Sequence, residues 1–185
     1  MKNNLYKQAV KLFAKQKDLI IQRQDDFYCL SETHIVMKVS ESAYNHYFNG
    51  EKPLIFTRLD NGQSMRHGEI WSPDNLFLFD LFKDTNHDNA AIRLPYSRDI
   101  TNFDGTVTCR CFLTCKNNSY HETLINSVFD CIFAGFDYVF SSAGDCNSPI
   151  FASSDQLFAD VIVCPINNRG VSEYNGELLR KLCVA

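Results

Sequence analysis

At 185 residues with a formal charge of −4, the chain is sized for one domain, or for two small ones packed closely. With 45% apolar and 22% charged residues it can bury a core unaided, which excludes a disordered tail, a collagen-like fibre, a coiled coil and a miniprotein scaffold. The acidic balance argues against a protein that coats nucleic acid indiscriminately. It is uneven, however: residues 1–24 hold six basic groups against Asp18 alone, and the remainder holds twelve basic against 21 acidic.

Eight cysteines would serve a disulfide framework in a secreted chain. The start, Met1-Lys2-Asn3-Asn4, carries neither an apolar signal core nor a small-residue cleavage site, and no apolar run nears the roughly 20 residues that cross a bilayer. A cytoplasmic protein with reduced thiols is the expectation.

In chain order, residues 5–23 predict a helix. Leu5, Tyr6, Ala9, Leu12, Phe13 and Ile20 fall on one side, and Lys7, Lys11 and Lys15 form a stripe on the other. The pattern then turns to period two. Phe27 to Leu30 and His34 to Val39 predict strands joined by Ser31-Glu32-Thr33, and Ser40 predicts the cap of a helix from Glu41 to Phe48 that stops at Asn49-Gly50. Pro53 to Thr57 reads as a strand and Asp60-Asn61-Gly62 as a turn. Ser72-Pro73-Asp74 is a helix start leading into Leu76 to Phe82, which is apolar nearly all round and reads as a buried helix or two short strands. Asp84 to Asn89 is a polar loop.

Thr106 to Cys115 alternates like a strand. Asn117-Asn118-Ser119 reads as a turn and cap, opening a helix from Tyr120 to Ala134 that Gly135 ends. Three strands follow, Asp137 to Ser141, Pro149 to Ser153 and Leu157 to Pro165, with turns at Gly144-Asp145 and Ser154-Asp155-Gln156. A short helix is expected at Glu177 to Cys183 within the tail 167–185.

Residues 107–166 resemble a half-domain of bacterial DNA sliding clamps. The resemblance lies in the expected helix bearing Leu124, Ile125, Val128 and Phe129, in Tyr138-Val139-Phe140, in Ser148-Pro149-Ile150-Phe151, and in Ala159 to Ile166, where Cys164 stands in place of the family's methionine. It implies an α+β fold: an antiparallel sheet with helices packed on one face, built of clamp-like βαβββ half-domains. The chain is then one domain, 1–185, of two pseudo-repeats (a divergent half, 1–100, and a clamp-like half, 101–166) with a C-terminal tail.

Clamps line their hole with basic helices. Lys7, Lys11 and Lys15 fit that role, and they are the candidate contacts for nucleic acid or another anionic partner. The expected helix 120–134 instead carries Glu122 and Asp130 and no basic residue. Direct DNA binding is therefore expected to be weak or absent.

Cys109, Cys111 and Cys115 share a strand face and read as core, since their spacing is not that of a zinc knuckle. His121-Glu122 lacks the second histidine of a zincin motif, because position 125 is Ile125. Neither a G-x-S-x-G turn nor a glycine-rich phosphate cradle occurs. Asp80, Asp84, His87 and Asp88 are the strongest hard-metal candidates, though carboxylates at a helix end more often cap and solvate. Asn75 to Phe79 is similar to the short peptides by which replication proteins dock on clamps, but reads as buried.

The leading expectation is a non-catalytic binding protein with no cofactor or metal. It would act through protein–protein contact on nucleic-acid machinery, a CRISPR effector nuclease or a replication complex, as phage or mobile-element inhibitors do (an anti-CRISPR protein is one such reading). The alternatives are a clamp-like DNA-binding or processivity factor using Lys7, Lys11 and Lys15, and a metal-assisted hydrolase using Asp80, Asp84, His87 and Asp88.

Overall fold

The first element in the computed structural model, which describes residues 3–32, 34–49, 55–83, 89–102, 105–133, 137–154 and 159–166, is α1 (Asn3–Phe13). Tyr6, Ala9, Val10 and Phe13 are buried on one side of it, at i, i+3, i+4 and i+7. The expected helix ends ten residues early. Residues 14–18 turn, and β1 (Ile20–Gln24) begins where two β-branched residues allow Ile21 to be fully buried in a sheet. Packing overrides the helical pattern there.

The described residues cluster into two compact units. One takes residues within 1–85, 131–138 and 153–162; the other takes those within 86–130 and 139–152 and from 163 on. In the first unit, β2 (Phe27–Glu32), β3 (Ile35–Ser40), β4 (Ser64–Arg66) and β5 (Glu69–Trp71) join β1 in the order β5-β4-β1-β2-β3, with β11 (Ala159–Val163) beside β3. The pairings of β5 with β4, β4 with β1, β1 with β2 and β2 with β3 are antiparallel. The β2–β3 hairpin and α2 (Glu41–Tyr47) stand where the sequence placed them, and the Ser40 hydroxyl accepts from the Ala43 N–H as a helix cap does.

Register sorts this unit's side chains by face. Ile70, Met65, Ile21, Leu30 and Met37 are successive cross-strand partners on one face, and Trp71, Ser64, Gln22, Cys29 and Lys38 on the other. Tyr28, on the first face, stacks on Tyr44 of α2, and Tyr44 on Phe48; Tyr6 of α1 stacks on Tyr47. Helix α3 (Phe77–Lys83) lies on the second face, where the Gln22 side chain accepts from the Leu78 N–H at 2.9 Å. Helices therefore flank both faces, which corrects the expectation of one. The run of apolar residues is a helix, and it opens at Phe77, later than Ser72-Pro73-Asp74 indicated, because Gln22, distant in sequence, supplies its cap.

In the second unit, β6 (Asn89–Asn102), β7 (Gly105–Lys116), β8 (Ser119–Asn126) and β9 (Val139–Ser142) pair antiparallel in the order β9-β6-β7-β8, and the start of β10 (Ile150–Ser154) lies beside β9. Pro95 sits where the β6–β7 register shifts between Arg93 and Ser97, the irregularity at which a strand tolerates proline. The helix expected over 120–134 is a strand. Asn117 and Asn118 both have positive φ, 51° and 63°, the geometry of a two-residue hairpin turn and not of a helix cap. The chain reverses into β8, and helix appears only as the 3₁₀ turn Ser127–Phe129 and α4 (Asp130–Phe133).

Antiparallel sheet thus dominates the fold, with few helices, and the clamp-like helix that carried part of the resemblance is absent from its place. Several expectations fall partly or wholly outside the described residues: Thr33 of the first hairpin turn, the Gly50 and Gly135 stops, the start of the strand from Pro53 (its described part, 55–57, is not strand), the loop from Asp84, the turn at 154–156 with the start of the strand from Leu157, and the tail helix of 177–183.

Gly144 has φ +97°, and a Cβ there would stand 2.6 Å from the Cys115 carbonyl oxygen and 2.9 Å from the Lys116 Cβ. Its own carbonyl accepts from the Thr114 hydroxyl. Gly144→Ala is therefore expected to destabilise the protein by about 2–4 kcal/mol, more than the roughly 1 kcal/mol of lost glycine freedom alone. Urea unfolding measures it, and a loss under about 1 kcal/mol would show that the turn yields.

Candidate protein-binding surface

Helix α3 buries Leu78 and Phe79 and leaves Phe77 and Leu81, one turn apart, 46% and 40% exposed. The chain's single tryptophan, Trp71, is 40% exposed and ends the row Trp71–Ser64–Gln22 on that same face. Two strand spacings separate it from the Gln22 that caps α3, about 10 Å. Phe27, also exposed on this face, lies under the Lys38 ammonium, whose nitrogen is 4.9 Å from its ring centroid and 5.6 Å from that of Phe82. Strand β5 ends the strand order, and all three of its residues are exposed. An exposed tryptophan on the terminal strand, with exposed aliphatic and aromatic side chains on the same sheet face, has the composition of a protein contact.

The expected contacts Lys7, Lys11 and Lys15 are all exposed, the first two on α1 and the third in the turn after it. Asp80 is paired with Lys83 at 3.1 Å, which holds its carboxyl below the usual range. Its proposed metal-site companions Asp84, His87 and Asp88 lie outside the described residues. Asn75 to Phe79 is half surface and half core: Leu78 and Phe79 are buried, and Phe77 is not.

The thiol ladder is interior. Cys109 and Cys111 pack with Leu94, Leu113 and Leu124, while Cys115 is half-buried. Burial, with the Glu122 carboxylate alongside, pushes the Cys111 thiol up to about 12. The other charges of the second unit are largely committed. Asp130 accepts from Arg93 at 3.0 and 2.6 Å and from Arg110 at 3.1 and 2.8 Å. Glu122 is buried against Arg98 at 2.9 Å and the Tyr96 hydroxyl at 3.2 Å. Such groups hold structure and have little freedom to exchange protons with a substrate. Among the described residues, no group of three or more histidine, cysteine, aspartate or glutamate side chains is placed to hold a metal ion.

Sequence reasoning missed the exposed set Trp71, Phe77 and Leu81. The available signal was Gly68 before Glu69-Ile70-Trp71 and Ser72-Pro73 after it, a short strand between turn residues. The Asp130 clamp left no comparable signal.

No family model matches the chain, and no curated protein does. Among solved structures it is similar to a candidate DNA polymerase III beta subunit from Eubacterium rectale, with 9% identity and a TM-score of 0.42 over 91% of this chain. The chain spans 65% of that protein's length. No helix of the described residues is long and apolar enough to cross a membrane.

The buried thiols make stability pH-dependent. Cys111 ionises at about 12 when folded against an ordinary 9.0, so the unfolded chain loses its proton first. Its contribution is constant below pH 9 and falls as pH rises from 9 toward 12, by at most about 1.4 kcal/mol per pH unit. Urea unfolding at pH 8 and pH 10 is expected to show less loss in Cys111→Ala than in the parent, and equal losses would contradict the assignment. Native alkylation should label exposed Cys146 and spare Cys109 and Cys111.

Proposed function

We propose that the protein is a non-catalytic binding protein that acts on nucleic-acid machinery through protein–protein contact, in the manner of a phage or mobile-element inhibitor of a CRISPR effector nuclease. The observation that carries the reading is the exposed apolar set on the α3 face of the first unit, Trp71 on β5 and Phe77 and Leu81 on α3 itself. Tryptophan and its aromatic neighbours are the side chains on which binding energy concentrates in protein interfaces. The commitment of Asp130, Glu122 and Asp80 to ion pairs supports a role in contact over catalysis.

The second reading, a clamp-like DNA-binding factor, draws on the exposure of Lys7, Lys11 and Lys15. Three phosphate contacts give weak affinity with a steep salt dependence.

Capture from host lysate, with and without nuclease, separates the two. A nuclease-resistant protein partner is expected, with retention falling at least about ten-fold when Trp71, Phe77 and Leu81 are replaced by alanine, as for loss of an interface hot spot. Recovery of nucleic acid alone would overturn the proposal. In parallel, duplex DNA at low salt is expected to bind weakly at most. Tight binding abolished by glutamate at positions 7, 11 and 15 would establish the DNA reading instead.

A further inference from the structure

The lysine stripe and a small cavity at its end form a second surface in the first unit, on the opposite sheet face from α3. The cavity is about 200 Å³ and is lined by Gln16, Lys17, Leu19, Ile55, Met65 and His67 among others. Met65 belongs to the row that faces α1 and α2, and Leu19 precedes Ile21 of that row by two residues. A cavity of about 150 Å³ accommodates benzene, so this one is sized for a single ring. Its floor is apolar, from Leu19, Ile55 and Met65, and its rim holds the exposed Lys17.

One neighbouring cation, Arg66, is already paired. Asp18 accepts from the Arg66 guanidinium at 3.0 Å and lies 3.2 Å from His67 Nε2. Lys17 is left to meet an anion, and beyond it lie Lys15 in the turn and Lys11 and Lys7 on α1. Four residues of helix rise about 6 Å, close to the roughly 6.6 Å between every second residue of an extended chain. An extended peptide with acidic residues at alternate positions would set carboxylates opposite Lys7 and Lys11, with the turn lysines Lys15 and Lys17 beyond them.

We propose that α1 and this cavity bind an extended acidic segment of a partner protein, with one aromatic side chain of that segment seated over Leu19, Ile55 and Met65. Charge complementarity with Lys7, Lys11, Lys15 and Lys17 selects an anionic chain. The cavity favours peptide over single-stranded nucleic acid, because among the described residues its lining includes no tryptophan, tyrosine or phenylalanine on which a base would stack. The inference goes beyond the function proposed above and uses none of Trp71, Phe77 or Leu81.

The test uses the full chain with methyl-labelled methionine and an eight-residue peptide of alternating aspartate and serine with a phenylalanine at one end, in both orientations. Ring-current displacement of the Met65 methyl signal is expected with the aromatic peptide and not with its phenylalanine-to-serine counterpart. Affinity should fall about ten-fold when Lys7, Lys11 and Lys15 become glutamate, as the loss of three exposed ion pairs requires. Gln16→Trp, which fills the cavity, should erase the difference between the two peptides. An unmoved Met65 signal, absence of binding, or tighter binding of oligothymidylate than of the peptide would each overturn the inference. Lysate capture that still depends on Trp71 would leave the function proposed above intact in any of these cases.

Discussion

Two phenols hold the first unit together. Tyr28 of β2 and Tyr44 of α2 stack with centroids 3.8 Å apart and planes within 2°, and both rings are fully buried. Their hydroxyls reach the irregular segment that follows α2. The Tyr28 hydroxyl donates to the Leu59 carbonyl at 3.2 Å and accepts from the Leu59 N–H at 3.3 Å, while the Tyr44 hydroxyl donates to Thr57 O at 2.9 Å. One stack therefore fixes sheet, helix and loop at once. Burial pushes both phenol pKa values up, so the pair stays neutral and continues to donate. A buried tyrosine is favourable only when its hydroxyl is satisfied, and here it is satisfied by backbone that would otherwise lack a ladder. Arg23 extends the arrangement: it donates to Leu59 O at 2.7 Å and pairs with Glu41 at 2.9 Å, tying β1 and the start of α2 to the same loop.

The second unit uses charge where the first uses rings. Asp130 receives four hydrogen bonds from two arginines on adjacent strands, β6 and β7, at the start of α4. The carboxylate thereby ties β6 to β7. On the opposite face, given by the alternation of β7 and β8, Glu122 and Arg98 lie with the thiol ladder. Buried pairs of this kind cost desolvation and return it through geometry. They explain how a chain with 22 acidic groups places some of them inside, each against an arginine.

Local signals were legible wherever local chemistry decided the structure. Ser40 capped its helix, the β2–β3 hairpin alternated as expected, and the odd-numbered cysteines of β7 lay on one interior face. Long-range pairing defeated the reading elsewhere. Residues 20–24 carry a helical pattern but pair with β2 and β4. Tyr120 to Asn126 follows Asn-Asn, a sequence that serves as a cap or as a hairpin turn, and only the paired strand β7 decides between them. For the surface, the lysines were legible because charge at helical spacing needs no partner to be recognised. Trp71 was not, because its exposure goes with β5 standing last among the described strands, which is a property of topology.

Topology also fixes which face each candidate surface occupies. The β4–β5 hairpin turns through His67 and Gly68, both at positive φ, and that two-residue turn sets Arg66 opposite Glu69 and Ser64 opposite Trp71. β4 in turn pairs Ser64 with Gln22, the residue that caps α3. The chain of register from turn to tryptophan to helix is therefore continuous, and a slip of one residue would carry Trp71 to the α1 face and Ile70 to the α3 face. Met65, the cross-strand partner of Ile70, is held under the α1 side by the same pairing. The aromatic edge and the lysine-flanked cavity are thus two consequences of one hairpin register, so neither surface can be displaced without disturbing the other.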